Sequence, residues 1–98
     1  MQDSVDYKVE IEQTGRGGTI IYTEPNGSLT FDWEFATNGA DMFVPTPEQW
    51  DAYCRGRSAG WAKGRRQEIL ERVAEEVRRQ KATSSLATIE DNWVHFGF

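Results

Sequence analysis

Residues 61–82 read WAKGRRQEILERVAEEVRRQKA, and their spacing decides the fold. Ala62, Ile69, Leu70, Val73 and Val77 fall on one side of a helix at 3.6 residues per turn. The pattern predicts one long amphipathic helix over the whole stretch. The other side carries Glu68, Glu71, Arg72, Glu75 and Arg79. Glu68–Arg72 and Glu75–Arg79 are i,i+4 pairs with the acid first, each contributing about 0.2–0.5 kcal/mol. Arg78, Arg79 and Lys81 suit the negative end of the helix dipole.

Three residues in this stretch do not fit a plain helix. Gly64 costs roughly 1 kcal/mol relative to Ala in a helix interior. It marks either a late helix start or a place of close approach. Arg66 falls inside the apolar stripe, and a guanidinium buried without partners is very costly. It must snorkel along apolar surface or meet a carboxylate, and the acid-rich first half of the chain favours the pair. Trp61 falls about 140° from the centre of the stripe at 100° per residue. It is expected to pack at a sheet edge or near Trp50 and Tyr53, or else to belong to an interface.

The helix needs a surface to pack on, and residues 29–35 supply it. Leu29, Phe31, Trp33 and Phe35 alternate with Thr30, Asp32 and Glu34, the period of a half-buried strand. Upstream, Tyr7, Val9 and Ile11 alternate with Lys8, Glu10 and Glu12 after a loose start over residues 1–4. Residues 19–24 are β-branched and aromatic, a second strand. Gly15-Arg16-Gly17-Gly18, Pro25-Asn26-Gly27-Ser28 and Thr37-Asn38-Gly39 are turns, and residues 41–44 form a short fourth strand. Thr46 can cap a short helix, with Pro47 at its first position and Gln49 completing a capping box. Gly56 and Gly60 end it. Thr83-Ser84-Ser85 ends the long helix, and residues 86–90 and 93–96 form a closing hairpin around Asp91-Asn92.

Strands and helices are segregated along the chain, so the expected class is α+β. A four-stranded N-terminal meander and a C-terminal hairpin make an antiparallel sheet, with the long helix on one face and a short helix before it. Residues 1–98 are read as a single domain. The uncovered face should carry Lys8, Glu10, Glu12, Thr30, Asp32 and Glu34.

Composition narrows the function classes. One cysteine, Cys54, excludes an internal disulfide and a multi-cysteine zinc site. That usage fits a reducing compartment, so a cytoplasmic location is expected. The acidic first thirteen residues lack the apolar run of a signal peptide, and no stretch has the length of a membrane span. Net charge is −5, but it is unevenly spread. Residues 1–54 hold ten acids and two bases, whereas residues 55–98 hold six acids and nine bases. The two halves attract each other, or one of them offers a charged surface to a partner.

The run W-A-K-G-R-R-Q-E-I-L-E-R-V-A-E-E-V (residues 61–77), preceded by P-E-Q-W-D (residues 47–51), resembles a run in a group of small uncharacterised bacterial proteins. The resemblance implies a bacterial source and a compact domain. It implies no activity and no site residue.

Several constellations invite chemistry. Gly15-Arg16-Gly17-Gly18 could cradle phosphate, but it lacks the Gly-Lys-Ser/Thr ending and a strand follows it, so a hairpin loop is expected. Cys54 and His95 could form a nucleophile and its base, yet they fall in different elements. Asp32, Glu34 and Asp41 could hold a divalent cation or divide into acid and base in a metal-assisted hydrolase. Alternating acids on a strand also describe a solvated sheet face. Arg55, Arg57, Lys63, Arg65 and Arg66, with Trp61 among them, could contact nucleic acid. The acidic pI of about 4.8 argues against that as the main role.

The expected function is therefore a non-catalytic protein-binding or regulatory module without cofactor or metal. An immunity- or antitoxin-like protein is its concrete form. The expected partner-binding residues are Glu10, Glu12, Asp32, Glu34, Trp61 and Arg65. The partner is a protein rather than nucleic acid or membrane, and the chain is expected to be a monomer or weak homodimer. A nucleic-acid-associated role for residues 55–66 and a carboxylate-dependent hydrolase are the alternatives.

Overall fold

Leu29, Phe31 and Trp33 are buried while Thr30, Asp32 and Glu34 between them are exposed, and this one strand sets the two faces of the whole sheet. The structure is a computed structural model describing residues 6–81 and 87–97. The expectations for residues 1–4, for the helix end at Thr83-Ser84-Ser85 and for Leu86 lie outside those residues.

The sheet has six antiparallel strands: β1 (Lys8–Thr14), β2 (Gly17–Glu24), β3 (Gly27–Ala36), β4 (Gly39–Phe43), β5 (Ala87–Ile89) and β6 (Trp93–Gly97). Their spatial order is β1-β2-β3-β4-β6-β5, so the last strand in sequence lies between β4 and β5. Two helices cover one face: α1 (Trp50–Gly56) and α2 (Arg66–Gln80), with a 3-10 turn at Gly60–Ala62 between them. The class is α+β, as the segregation of strands and helices requires.

The core lies between α2 and the covered face. Ile69, Leu70, Val73, Ala74 and Val77 of the helix meet Ile20, Tyr22, Leu29, Phe31, Trp33, Met42 and Val94 of the sheet. α1 adds Trp50, whose indole N–H donates to the Ala62 carbonyl at 2.8 Å. Phe31 stacks on both Trp50 and Tyr53, with ring centroids 6.2 and 6.0 Å apart. No helix among the described residues is long and apolar enough to cross a membrane.

The long helix is shorter than its periodicity suggests. It begins at Arg66, not at residue 61, because Gly64 takes φ +74° and breaks the right-handed run. The Gly64 N–H is not lost: it donates to Asp51 Oδ1 of α1 at 3.1 Å. Ala62 remains buried, but from the 3-10 turn. The capping box forms, with the Gln49 N–H donating to Thr46 Oγ1 and the Thr46 N–H donating to Gln49 Oε1. The helix itself starts only at Trp50.

Two further expectations need correction. Gly17 and Gly18 belong to β2 rather than to the turn, which is confined to Gly15 and Arg16. Gly18 is required there because a Cβ would run into the Glu12 carbonyl. That same carbonyl accepts the indole N–H of Trp33 at 3.0 Å, across the width of β2. The second correction concerns helix pairing. Glu68–Arg72 forms at 2.9 Å, but Arg79 pairs with Glu76 and Arg78 with Glu75, each three residues back.

Candidate functional site

The strand register builds the uncovered face row by row. Glu12 pairs across to Thr19, and Thr19 to Asp32. Glu10 pairs to Ile21, and Ile21 to Thr30. Glu34 pairs to Asp41, and Asp41 to His95. Residues paired across an antiparallel ladder share a face, so Glu10, Glu12, Asp32, Glu34 and Asp41 all project from the side opposite the helices. Glu10, Glu12, Asp32 and Glu34 are exposed.

Two aromatic side chains join them. Phe43 pairs with Trp93 across β4 and β6. They stand 46% and 41% exposed, more than any other large apolar residue described. Next to them, His95 Nδ1 lies 2.6 Å from Asp41 Oδ1, within donating distance of the carboxylate. The face thus combines an aromatic pair with acids on three strands. Such a pair is what interface anchors look like, since aromatic residues are enriched at the energetic centres of protein contacts.

Lys8 stands 3.7 Å from Glu10. Among the described residues, Glu12, Asp32 and Glu34 have no basic side chain within ion-pair distance. Nor does any group of three His, Cys, Asp or Glu side chains among the described residues have the geometry to hold a metal ion.

The other two expected partner residues, Trp61 and Arg65, sit elsewhere. They belong to a cluster on the covered side, around Glu24. Glu24 is 4% exposed and is the one buried charged residue described. Arg65 clasps both its carboxylate oxygens, Nη1 to Oε1 at 3.1 Å and Nη2 to Oε2 at 2.7 Å. Arg72 donates to Glu24 Oε2 at 3.1 Å and to the Tyr22 hydroxyl at 3.0 Å. The Tyr22 hydroxyl in turn donates to Glu24 Oε2. Glu68 closes the network by accepting from Arg65 Nε at 3.1 Å and pairing with Arg72. Tyr22 stacks between Tyr7 and Trp61, and both guanidiniums lie near aromatic faces.

These contacts set the ionisation of the cluster. Burial pushes the Glu24 carboxyl up, but hydrogen bonds from Arg65 and Tyr22 and the charges of Arg65 and Arg72 outweigh it. The carboxyl therefore lies below its ordinary value. Burial and the hydrogen bond to Glu24 push the Tyr22 hydroxyl up to about 12. Glu68 is lowered chiefly by its bond from Arg65.

Arg66 does not snorkel, and it meets no carboxylate among the described residues. Its Nε donates to the Pro45 carbonyl at 2.9 Å, and its Nη2 donates to the carbonyls of Glu90 and Asp91 at 2.9 and 2.6 Å. Carbonyl oxygens in the right positions accept from a planar fork of donors, and the expected ion pair is absent among the described residues. Of the basic segment 55–66, Arg65 and Arg66 are thus held inside the fold, and Arg57 lies 4.2 Å over the Tyr53 ring. Arg55 and Lys63 are exposed.

The structure separates Cys54 from His95. Cys54 is buried in α1 on the covered side, where burial pushes its thiol up, and His95 faces the other side of the sheet. Gly15 and Arg16 form an ordinary hairpin turn.

Sequence reasoning missed Glu24, Tyr22, Phe43 and Trp93. A signal existed for each. Glu24 is in phase with buried Ile20 and Tyr22, whereas Phe43 is in phase with Asp41 and Trp93 with His95. Compared with known proteins, the chain matches no family model, no curated protein and no solved structure.

Proposed function

We propose that this chain is a cytoplasmic, non-catalytic protein-binding module whose uncovered sheet face engages a basic protein surface. The observation that carries the reading is the placement of Glu10, Glu12, Asp32, Glu34 and Asp41 on the same side of the sheet as exposed Phe43 and Trp93. Glu12, Asp32 and Glu34, with no basic partner among the described residues, are free to meet a cationic surface, and they steer its approach over about 8 Å at physiological ionic strength. The aromatic pair supplies the desolvated centre that long-range charge cannot. An immunity- or antitoxin-like role against a basic protein is the concrete form. The internal use of Arg65 and Arg66 leaves Arg55, Arg57 and Lys63 as the exposed cations of the basic segment, fewer than the acids on the uncovered face.

The test is an NMR titration with a small, strongly basic protein as probe. Resonances of Glu10, Glu12, Asp32, Glu34, Phe43 and Trp93 should shift, and added salt should reverse the shifts. The triple variant Glu12→Gln, Asp32→Asn, Glu34→Gln should weaken binding clearly more than the same charge change at exposed Glu48, Glu71 and Glu75. Shifts confined to residues 55–66, with retention on heparin, would favour the nucleic-acid reading instead.

A further inference from the structure

α2 does not cover the whole inner face. Beyond its last turn lies an apolar cleft of about 290 Å³, lined by Ile11, Ile20, Trp33, Phe35, Ala40, Val77, Phe96 and Lys81. Its walls come from five different segments, β1, β2, β3, β4 and β6, with α2 as the roof. Phe35, set edge-on to Trp33 with centroids 5.0 Å apart, is 37% exposed at its mouth. Ligand pockets run from about 300 to 1,000 Å³ and are mostly apolar with a few placed polar groups. This cleft falls just below that range, and Lys81 is the one charged residue in its lining.

We infer that this cleft binds a small amphipathic monoanion, an aliphatic or aromatic carboxylate whose tail enters between Phe35 and Phe96 and whose charge meets Lys81. Two observations select the class. The lining contains no acid and no other base, so a cationic or zwitterionic ligand would leave a charge unmatched. Lys81 has no carboxylate within ion-pair distance among the described residues, unlike Arg78 and Arg79 beside it. The carbonyl end of α2 opposes an anion there, but with only about half a unit charge against the full charge of Lys81. The cleft lies on the covered side of the sheet, so this inference is independent of the acidic face and its partner.

Decanoate and decanol are the probes, titrated separately into the uniformly labelled full chain below the concentration at which decanoate forms micelles. Decanoate should shift the resonances of Ile11, Phe35, Ala40, Lys81 and Phe96, and should bind more tightly than decanol. Lys81→Gln should weaken decanoate by about two- to five-fold, the range of an exposed ion pair, and leave decanol unchanged. Ala40→Phe should fill the cleft and abolish both. If that variant does not fold, Phe35→Ser, at the exposed mouth, should weaken both ligands. No shift in the wild type overturns the inference, as when the chain itself or a second copy fills the cleft. Equal binding of acid and alcohol, or shifts located elsewhere, overturn it too.

Discussion

Arg65 grips Glu24 through both carboxylate oxygens, joining the end of β2 to the residue just before α2. The bond is bidentate, and it holds the one buried charge described in the protein. A buried carboxylate of this kind has either all its partners or a large desolvation penalty, with little between.

Removing the charge should therefore be expensive. Glu24→Gln leaves Arg65 and Arg72 facing a neutral amide, and stability at pH 7 should fall by about 3 kcal/mol, the lower end for breaking a buried pair. The lower end applies because the two guanidiniums keep 23% and 22% of their side chains in water. The pH dependence has a definite sign. The folded carboxyl lies below its unfolded value of 4.5, so its stabilisation is present above that pH and is lost as pH falls through the folded value. Urea unfolding at pH 7 and pH 3 should show the variant much closer to wild type in acid. An equal gap at both pH values would mean that Glu24 acts through shape alone.

Tyr22 gives the matching prediction at the alkaline end. Its hydroxyl pKa is raised from 10.0 to about 12, so its contribution is intact below pH 10 and is lost as pH rises through about 12. Tyr22→Phe keeps the stacking on Tyr7 and Trp61 but removes a donor to Glu24 and an acceptor for Arg72. It should cost about 1.5–3 kcal/mol at pH 7, the worth of hydrogen bonds to charged groups. The variant should also lack the part of the alkaline destabilisation that Tyr22 causes. Thermal unfolding at pH 7 and pH 10.5 measures both effects, and a wild type and variant with parallel alkaline profiles would contradict the assignment.

Arg66 should behave differently from Arg65. It donates to three backbone carbonyls and, among the described residues, to no carboxylate, so Arg66→Met strands dipoles rather than a titrating group. A loss of about 1–3 kcal/mol is expected, nearly equal at pH 7 and pH 4. Arg66→Lys should recover little, because a single ammonium cannot span the Pro45 carbonyl and those of Glu90 and Asp91 together. A loss confined to pH 7 would mean that a carboxylate, not the carbonyls, is the working partner.

These residues also show what can be read from the chain alone. The period of β3 fixes both faces of the sheet, because a slip of one residue would bury Asp32 and Glu34 and expose Phe31 and Trp33. That information is local, and so Glu10, Glu12, Asp32 and Glu34 were legible as one outward face. The start of α2 was legible only as one of two alternatives, because Gly64 suits either a late start or a close approach and only its left-handed backbone decides between them. Arg66 was misread for a different reason. Composition shows a surplus of acids, but it cannot show that carbonyls from two distant turns converge on one point. Glu24 was overlooked although its phase with Ile20 and Tyr22 pointed inward, since an acid at a strand end is ordinarily read as the start of a turn.

The position of β6 bears on the order in which the protein assembles. β1 to β4 pair through short turns, but β6 reaches β4 only by bringing Gly97 against Gly39. Each doubling of a closed loop adds about 0.6 kcal/mol of chain entropy, so this closure belongs late on the path. The meander can collapse first, with β4 as a temporary open edge, and the terminal hairpin then docks on it. Val94, fully buried on β6, should thus be silent in the folding transition state. Val94→Ala should speed unfolding and leave the refolding rate almost unchanged, whereas Leu29→Ala in the meander should slow refolding. A chevron in which Val94→Ala slows refolding as much as it destabilises would place the hairpin in the nucleus. Until that docking step, Ala40 and Met42 stand on a strand whose outer edge is open, which makes the interval before β6 arrives the moment at which this chain is most exposed to pairing with a neighbour.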